Sequence, residues 1–460
     1  MGNEWKRVLV SDVCELIVDC VNKTAPVSES PTPYKMIRTP NIRNGRVSTE
    51  NCRYVNEDTF IKWTRRASVK SGDVLLTREA PLGEVGIVDS DENLFLGQRI
   101  MQYRSKSEVL DPHFLLYSFL SPDLQHQFLM HEGSGSVVSH IRVGDCLKFE
   151  LNLPPIPLQR QIVEVLKNLD EKISINNQIN QTLEQMAQTL FKSWFVDFDP
   201  VIDNALDAIS SGKKVDIPEV FESRVERRKA VRESADFKPL PDDVRQLFPS
   251  EFEESELGWV PKGWSRGVLS DIARYGKERI DVESLSLDNY ISTENMLAGR
   301  KGVEIAAKLP TVKTVPAYSK GYVLVSNIRP YFKKIWLANE LGGYSNDVLG
   351  FAPTYEGTEE YIFNLLYQDQ FFDYMMTTSK GSKMPRGDKK AIADWEVVMP
   401  PHLLMQFYSQ QVASYYEQSK VRNLESKTLE KLRDTLLPKL ISGELRLDSP
   451  EVEQAKTLVE

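Results

Sequence analysis

The side chains best suited to metal or nucleophilic chemistry are a few cysteines and histidines, and their spacing matches no known motif of either kind. No two cysteines stand in a C-x-x-C arrangement, and no H-E-x-x-H sequence occurs. We therefore expect no metal site, reduced and packed thiols, and imidazoles that are structural or lie at the surface. The residues concerned are Cys14, Cys20, Cys52, Cys146, His113, His126, His131, His140 and His402.

Sequences that cradle nucleotides or cofactors are also missing. Neither G-x-x-x-x-G-K-[ST] nor G-x-G-x-x-G is present, and the Asn-Pro-Pro-aromatic sequence of adenine methyltransferases does not occur. The acidic pair Asp242-Asp243 lacks the Glu-x-Lys partner in a strand that a nuclease site needs, so we interpret it as solvated surface. The sequence therefore offers no recognisable catalytic site, and we predict a chain that is not an enzyme.

Basic residues cluster along the chain although its net charge is −9. Residues 300–334 carry eight bases and one acid, and residues 380–390 carry five bases and one acid. Residues 199–260 are acidic, with 15 acids and 9 bases. Local basic faces on an acidic body can bind phosphate, so the net charge does not exclude nucleic acid. Each basic run by itself is more often a solvated surface.

The elements that position these residues occur twice. WKRVLVSDV at Trp5–Val13 matches WSRGVLSDI at Trp264–Ile272, and GDVLLTREAP at Gly72–Pro81 matches GYVLVSNIRP at Gly321–Pro330. MIRTPNIRNGR at 36–46 matches YISTENMLAGR at 290–300, and from Gly135 onward the two copies stay aligned at one offset. Several weak matches in the same order indicate a doubled unit.

Each copy begins with a mixed part and ends in a long helix. Short β-like runs alternate with Gly and Pro, and helical patches follow at about 114–130 and 361–376, so we predict mixed α/β domains. The first long helix is expected from Leu158 to Phe195, with apolar residues three and four apart. Asn176 lies at a seam position, where a polar residue can fix register. Pro438 is expected to end the second helix.

The matched helix lengths predict an antiparallel pair of coiled-coil helices between two globular domains, related by a pseudo-two-fold repeat. The alternative, in which each helix packs only on its own domain, stays open. The acidic, proline-containing stretch 200–258 reads as a partly ordered linker with a charged helix near 221–233. The opening residues MGNEWKRVLV contain no apolar signal core, so we expect a cytoplasmic protein without membrane contact.

Several longer motifs resemble the specificity subunit of type I restriction-modification systems, and the resemblance extends over essentially the whole chain. The most specific is LFKSWFVDFDPV at Leu190–Val201, which ends the central helix. The others are GDVLLTREAPLGEVGIV at 72–88, LGQRIMQYR at 96–104, SELGWVPKGW at 255–264 and LLPKLISGEL at 436–445.

This resemblance implies a non-catalytic, sequence-specific DNA-binding subunit with two target recognition domains, each reading half of an asymmetric bipartite site. It implies that the helices set the spacer and dock two modification (methyltransferase) subunits, and that restriction subunits complete the complex. S-adenosylmethionine, ATP and Mg²⁺ are then expected on those partners, and this chain is expected to hold no cofactor of its own. Phe332 and Ile335 replace Gly83 and Gly86 of the first copy, and the second copy has no clear counterpart of Gln98-Arg99.

Candidate DNA-binding residues are chosen because Arg and Gln can bond base edges, while Lys and Ser more often hold phosphate. They are Arg43, Arg46, Arg78, Gln98, Arg99, Ser134 and Ser136 in the first domain, and Arg300, Arg329, Lys333, Lys334, Lys380, Ser382, Lys383 and Arg386 in the second. Candidate docking positions on the helices are Ile162, Val165, Leu169, Leu183, Leu190, Leu429, Leu432 and Leu436.

The expected domain boundaries follow from the repeat. Recognition domains are predicted at 1–157 and 259–402, spacer helices at 158–199 and 403–447, a linker at 200–258 and a tail at 448–460. Two other functions remain open at this point: a stand-alone bipartite DNA-binding regulator, and a coiled-coil scaffold that binds no DNA. Retention of DNA and co-purification with a methyltransferase distinguish the three.

Overall fold

The computed structural model describes residues 5–131, 140–381 and 383–459. It contains two compact units. Unit 1 comprises Met1–Asn177 with Asn423–Glu460, and unit 2 comprises Gln178–Arg422. Each unit therefore includes part of both long helices, whereas the predicted domains separated the helices from the globular parts.

The globular part of unit 1 is a mixed α/β domain, as the alternation of short apolar runs and turn residues predicts. Strands β2-β10-β7-β8-β5-β4 form a six-stranded sheet, β6-β3-β9 a second sheet, and β1 pairs with β11. The strands are β1 Lys6–Leu9, β2 Cys14–Asp19, β3 Tyr34–Ile37, β4 Ile42–Arg43, β5 Gly45–Val47, β6 Arg53–Val55, β7 Val74–Thr77, β8 Val85–Ile87, β9 Asn93–Leu96, β10 Ile100–Ser105 and β11 Glu150–Leu153. The helices are α1 Val10–Val13, α2 Glu57–Trp63, α3 Pro112–Leu120 and α4 Pro122–Met130.

The first long helix, α5, spans Ile156–Phe191 and continues as a π-helical turn to Val196. It begins after Pro154-Pro155, with Pro157 in its first turn, where a missing N–H leaves no helical bond unmade. Three short helices follow α5 in the chain and precede the strands of the second globular part. They are α6 Asp199–Ser210, α7 Glu222–Arg232 and α8 Asp242–Arg245.

The stretch predicted as a partly ordered linker is packed through ion pairs. Asp203 of α6 receives the Arg228 guanidinium, and Asp207 pairs with Arg232 of α7 and with Arg245 of α8. Phe221, just before α7, is buried in the core of unit 2. The acidic and basic residues of this stretch therefore pair with one another, which holds three short helices together.

The globular part of unit 2 repeats the pattern of unit 1. Strands β15-β22-β19-β20 and β16-β18-β21-β17 form two four-stranded sheets, while β14 pairs with β23 and β12 with β13. The strands are β12 Phe252–Ser255, β13 Gly258–Pro261, β14 Ser265–Val268, β15 Ala273–Tyr275, β16 Arg279–Asp281, β17 Tyr290–Ile291, β18 Thr314–Tyr318, β19 Val323–Ser326, β20 Ile335–Leu337, β21 Gly342–Tyr344, β22 Val348–Pro353 and β23 Glu396–Met399. The helices are α9 Leu269–Ile272, α10 Glu359–Tyr367, α11 Asp369–Thr377 and α12 Lys389–Ala393.

The neighbouring strands explain why Gly86 of the first copy is replaced by Ile335 in the second copy. In unit 1, β5 runs parallel to β8, with Gly45 opposite Gly86. A Cβ at Gly86 would lie 2.5 Å from the carbonyl oxygen of Arg46, so no larger residue fits there. In unit 2, the equivalent strand β20 is the described edge of its sheet, and Ile335 fits without such a clash.

The second long helix, α13, spans His402–Ser442 and is followed by α14 at Pro450–Val459. Pro438 lies inside α13, so the expectation that it ends the helix is wrong. Leu440 and Ile441, which follow the proline, are buried in the core of unit 1, and their packing outweighs the hydrogen bond lost at Pro438. The predicted tail contains α14, whose Val452 is fully buried in the same core.

The two long helices run antiparallel, which confirms the predicted arrangement. In unit 1, Asp170 bonds Arg433 and, further along α5, Asn176 bonds Ser426, so residue numbers rise in one helix as they fall in the other. The Asn176 side chain is 3% exposed, and its Nδ2 donates to the Glu425 carboxylate at 2.9 Å. A buried polar pair at the seam defines the register of the two helices.

Candidate nucleic-acid interface

In unit 1, three loops meet at the ends of the central strands. They are the β7–β8 loop, the β9–β10 turn and the segment that follows residue 139. Backbone hydrogen bonds join them, because the Arg78 N–H donates to the Arg99 carbonyl at 2.8 Å and the Ile141 N–H donates to the Arg78 carbonyl at 3.0 Å. Residues far apart in the chain are thus brought together on one scaffold.

The predicted residues on these loops differ in how free their side chains are. The Arg78 guanidinium is half-buried and donates to the Ile141 carbonyl at 3.0 Å, while its Nε has no partner in the described part of the chain. Arg99 has a positive φ of 74°, is exposed and pairs with Glu79. Gln98 beside it is exposed, and no hydrogen bond to its side chain is present among the described residues.

Arg43 and Arg46 are engaged by the protein itself. Arg43 donates to the Thr39 carbonyl at 2.8 Å and keeps 42% of its side chain exposed. Arg46 donates from Nη1 to the Ser174 hydroxyl at 2.9 Å, on helix α5. The Arg46 guanidinium therefore anchors the domain to the helix, and its proposed role in reading DNA loses support.

The same three loops recur in unit 2, at the offsets of the sequence repeat. The Asn327 N–H donates to the Asp347 carbonyl at 2.8 Å, and the Gly387 N–H donates to the Asn327 carbonyl at 3.3 Å. Asn327 occupies the place of Arg78, and Asp347 that of Arg99. The counterpart of Gln98-Arg99, which the sequence comparison did not find, is thus Asn346-Asp347, with the charge reversed. Asp347 pairs with Arg386.

Four predicted cations of unit 2 are exposed at these loops. Arg329 has a φ of 51°, and its N–H donates to the Pro385 carbonyl at 2.8 Å. Lys383 is exposed, Arg386 keeps 53% of its side chain exposed, and Lys380 keeps 82% exposed while pairing with Asp388 at 2.6 Å. These side chains are placed where an anionic ligand can reach them.

The remaining cations of unit 2 are committed to internal contacts. Arg300 and Lys333 share the Asp369 carboxylate, and their hydrogen bonds lower the pKa of Asp369 to about 2. Lys334 donates to the Thr293 carbonyl at 2.6 Å, and burial lowers the pKa of its ammonium group. For Arg300, Lys333 and Lys334 the contacts favour a structural role over direct readout.

Three predicted positions, Ser134, Ser136 and Ser382, lie outside the described residues. Sequence reasoning did not select the exposed apolar side chains of the unit 2 loops, Tyr331, Phe332 and Met384. The sequence signal that could have identified them is their position, because each is a large apolar residue that lies between basic residues in a loop.

Most of the predicted docking side chains are unavailable to a partner subunit, which corrects that assignment. Leu169 and Leu436 are 0% and 1% exposed in the core of unit 1, and Leu183 is 9% exposed. Leu190 and Leu432 are partly buried against the unit cores. The others that are buried inside this chain are Ile162, Val165 and Leu429. The seam was read correctly, but its side chains face the partner helix or the globular domain.

The four cysteines are free and buried, which confirms the expected packed thiols. Burial raises the pKa of Cys14 to about 12 and the pKa values of Cys52 and Cys146 to about 11, so these thiols stay protonated and weakly nucleophilic. Within residues 5–131, 140–381 and 383–459, no group of His, Cys, Asp and Glu has a geometry that could hold a metal. Among the helices that the structure describes, none is long and apolar enough to span a bilayer.

The comparisons with known proteins agree with this geometry. A family model described as "Type I restriction modification DNA specificity domain" matches residues 2–185. The HindI specificity subunit of Haemophilus influenzae is 26% identical over 414 residues, covering 83% of this chain and 88% of that protein. The MjaIX specificity subunit of Methanocaldococcus jannaschii is 24% identical over 381 residues, covering 82% of this chain and 78% of that protein.

A solved structure shares the fold. The type I restriction-modification S subunit from M. genitalium superposes with a TM-score of 0.52 at 14% identity, covering 96% of both chains. This chain combines two repeated α/β domains that carry cationic loops with a pair of long antiparallel helices. This chain is therefore similar, in sequence over most of its length and in fold, to type I restriction-modification specificity subunits.

Proposed function

We propose that this chain selects the DNA sequence for a type I restriction-modification enzyme, with each globular domain reading one half of an asymmetric bipartite site. The observation that carries the proposal is the three-loop scaffold, which is the same in both units but presents different side chains. Arg78 and Arg99 in unit 1 are replaced by Asn327 and Asp347 in unit 2. Equal scaffolds with unequal polar groups are suited to reading two different half-sites.

The test is methylation mapping by long-read sequencing of a genome that carries this chain with its neighbouring genes. We expect a bipartite N6-methyladenine motif with two unlike halves, which disappears when only the gene for this chain is deleted. A motif that survives the deletion would count against the proposal. DNA binding without any dependent methylation would favour a stand-alone regulator.

The chain is proposed to be non-catalytic, with no cofactor of its own and with S-adenosylmethionine, ATP and Mg²⁺ on its partners. Pure chain incubated with labelled S-adenosylmethionine and DNA is expected to transfer no label, and addition of the modification subunit is expected to restore transfer. Label incorporated by the pure chain would refute this part. We place the complex in the cytoplasm, where its DNA substrate lies.

Two modification subunits and the restriction subunits are the proposed partners. Because the seam leucines are buried, the better docking candidates are apolar side chains exposed on the helices. Ile175 and Leu424 are 50% and 56% exposed in unit 1, and Met186 and Val421 are 46% and 63% exposed in unit 2. The variant Ile175→Ser is expected to weaken co-purification of a modification subunit. The control Val220→Ser, at an exposed position outside the two long helices, is expected to leave it unchanged.

A further inference from the structure

An exposed aromatic pair occupies the loop between β19 and β20 in unit 2. Tyr331 and Phe332 are 49% and 39% exposed, and their ring centroids lie 4.6 Å apart. Met384, on the neighbouring loop of the same scaffold, is 55% exposed. Single exposed apolar residues are common, but adjacent aromatic rings at the end of a loop mark a contact surface.

The backbone that carries the pair is held in an unusual conformation. A 3-10 turn spans Pro330–Phe332, and the residues on either side, Arg329 and Lys333, adopt left-handed φ values of 51° and 49°. Such conformations cost free energy for residues with a Cβ, and they persist where surrounding contacts impose them. Here the Gly299 N–H donates to the Phe332 carbonyl at 2.8 Å, and the Arg300 N–H donates to the Lys333 carbonyl at 2.9 Å.

Contacts of the lysine side chains that follow Phe332 also hold this turn in place. The Lys333 ammonium lies 2.6 Å from the Asp369 carboxylate, which Arg300 also contacts. Lys334 donates to the Thr293 carbonyl at 2.6 Å. The turn is therefore ordered before any ligand arrives, so presenting its two rings costs little conformational entropy on binding.

The charge around the rings selects the kind of ligand. Arg329 is exposed, and within the described residues its side chain has neither a hydrogen bond nor an acidic partner. The Lys334 ammonium lies 5.9 Å from the centroid of Phe332, and Lys383 is exposed on the adjacent loop. Aromatic rings among cations suit a ligand with both phosphates and stacked bases, and they suit an apolar protein surface poorly.

The first domain has no equivalent pair. At the repeat offset, Leu82 and Gly83 stand in place of Tyr331 and Phe332. Leu82 is partly buried against the core of unit 1, and Gly83 has no side chain to present. Any contact made by the aromatic pair is therefore specific to the second half-site.

We propose that Tyr331 and Phe332 are specificity-determining residues that pack against the bases of the second half-site. This inference rests on the proposed function. The rings supply apolar contact with base edges or a partly unstacked base step, while the exposed Arg329 and Lys383 hold the phosphates.

The test compares methylation motifs and DNA affinities of the assembled complex for three variants. One is Tyr331→Ala with Phe332→Ala, and the second is Tyr331→Leu with Phe332→Leu, which keeps apolar bulk if the alanine variant fails to fold. The control is Tyr355→Ala, because Tyr355 is an equally exposed aromatic, 41% exposed, outside these loops.

We expect both double variants to accept additional bases at one or more positions of the second half-site and to keep the first half-site. Affinity for the cognate site should fall roughly 5- to 100-fold, and the control should match the wild type. An unchanged motif and affinity overturns the inference, as does loss of the modification subunit with an unchanged motif, which would make the pair a protein contact. If the wild-type complex itself produces no bipartite motif, the proposed function has failed instead.

Discussion

Asp170 is the side chain on which the globular part and the helices of unit 1 converge. Its carboxylate accepts from the Tyr117 hydroxyl at 2.8 Å and from the Arg433 guanidinium at 2.8 Å. Arg46 reaches the backbone carbonyl of the same residue at 3.4 Å. Burial and the nearby carboxylate raise the pKa of Tyr117, so its hydroxyl remains a donor. One α5 residue thus contacts α3, α13 and β5.

Asp170→Ala is expected to lower the free energy of unfolding by about 2 kcal/mol, because Arg433 and Tyr117 lose their acceptor in a largely buried setting. Urea denaturation measures the change. Asp434→Ala is the matched control, since Asp434 also pairs with Arg433 at 2.8 Å but its side chain is 64% exposed. The control should cost less than about 0.5 kcal/mol. Equal losses in the two variants would show that Asp170 is an ordinary surface partner.

Glu360, on α10 of unit 2, is a buried carboxyl group that should make the stability of the fold depend on pH. Burial raises the pKa of Glu360 to about 7, with Glu359 adding to the shift while the Ser409 hydroxyl and Lys320 oppose it. Since the folded-state pKa lies above the unfolded value, this group stabilises the fold below about pH 4.5. That contribution is lost as the pH rises through about 7.

Glu360→Gln should therefore stabilise the protein at pH 8 relative to the wild type, by roughly 2 kcal/mol more than at pH 5. Thermal unfolding at the two pH values measures the difference. Glu356→Gln makes the same chemical change at an exposed position and should leave the pH dependence as it is. A Glu360→Gln variant whose stability relative to the wild type is the same at both pH values would contradict the expectation.

At the scale of elements, the apolar pattern of the long helices predicts that they pair, and buried polar contacts select the register of that pair. The apolar seam alone permits several alignments of α5 with α13, and the buried hydrogen bonds from Asn176 to Glu425 and Ser426 favour one. Lys172 lies 3.9 Å from the same glutamate. A shift by one turn would leave the Asn176 amide buried without these partners.

Inserting four residues after Asn177 tests whether helix length sets the gap between the half-sites. The insertion adds ~6 Å of helix, about one turn. DNA advances ~3.4 Å per base pair, so the gap in the methylated motif should lengthen by one or two base pairs while both half-sites keep their sequences.

A four-residue insertion after Gly212 is the control, because that glycine is exposed and a Cβ there would meet nothing within 4 Å. The control should keep the original gap. An active Asn177 variant with an unaltered gap would rule out the helices as the spacer. Unfolding measurements on each purified variant show separately whether the insertion has disturbed the fold.

At the scale of the whole molecule, the two units carry equivalent scaffolds with independent cores. The core of unit 1 contains Tyr103 and Phe119, and that of unit 2 contains Phe351 and Tyr361. Because each core is complete within its unit, one recognition domain should be exchangeable without unfolding the other.

Replacing residues 1–150 with the corresponding part of another specificity subunit should change the first half-site only. The second half-site and the gap should stay as in the wild type, because the loops of unit 2 and the helices are untouched. Methylation mapping of the chimaera reads both halves at once. A motif altered in both halves, or in neither, would be evidence against independent reading.

The sequence by itself determined the doubled unit, the mixed α/β class and the approximate span of the first helix, and it favoured the antiparallel pairing that the structure then showed. These features follow from signals that are local or periodic: repeated short motifs, Gly and Pro at turns, and apolar residues three and four apart. The predicted start of the first long helix at Leu158 lies close to the observed start at Ile156 for the same reason. Family motifs such as Leu190–Val201 indicated the function that we propose.

Only the tertiary structure decided which side chains are free to act. Arg46 and Arg300 look alike in the repeat, yet one bonds α5 and the other shares Asp369, because a cation is engaged by whichever anion or carbonyl the fold brings near. Pro438 stays inside α13 because burial of the leucines around it outweighs a local penalty. Partners distant in sequence set these outcomes, and no local pattern records them.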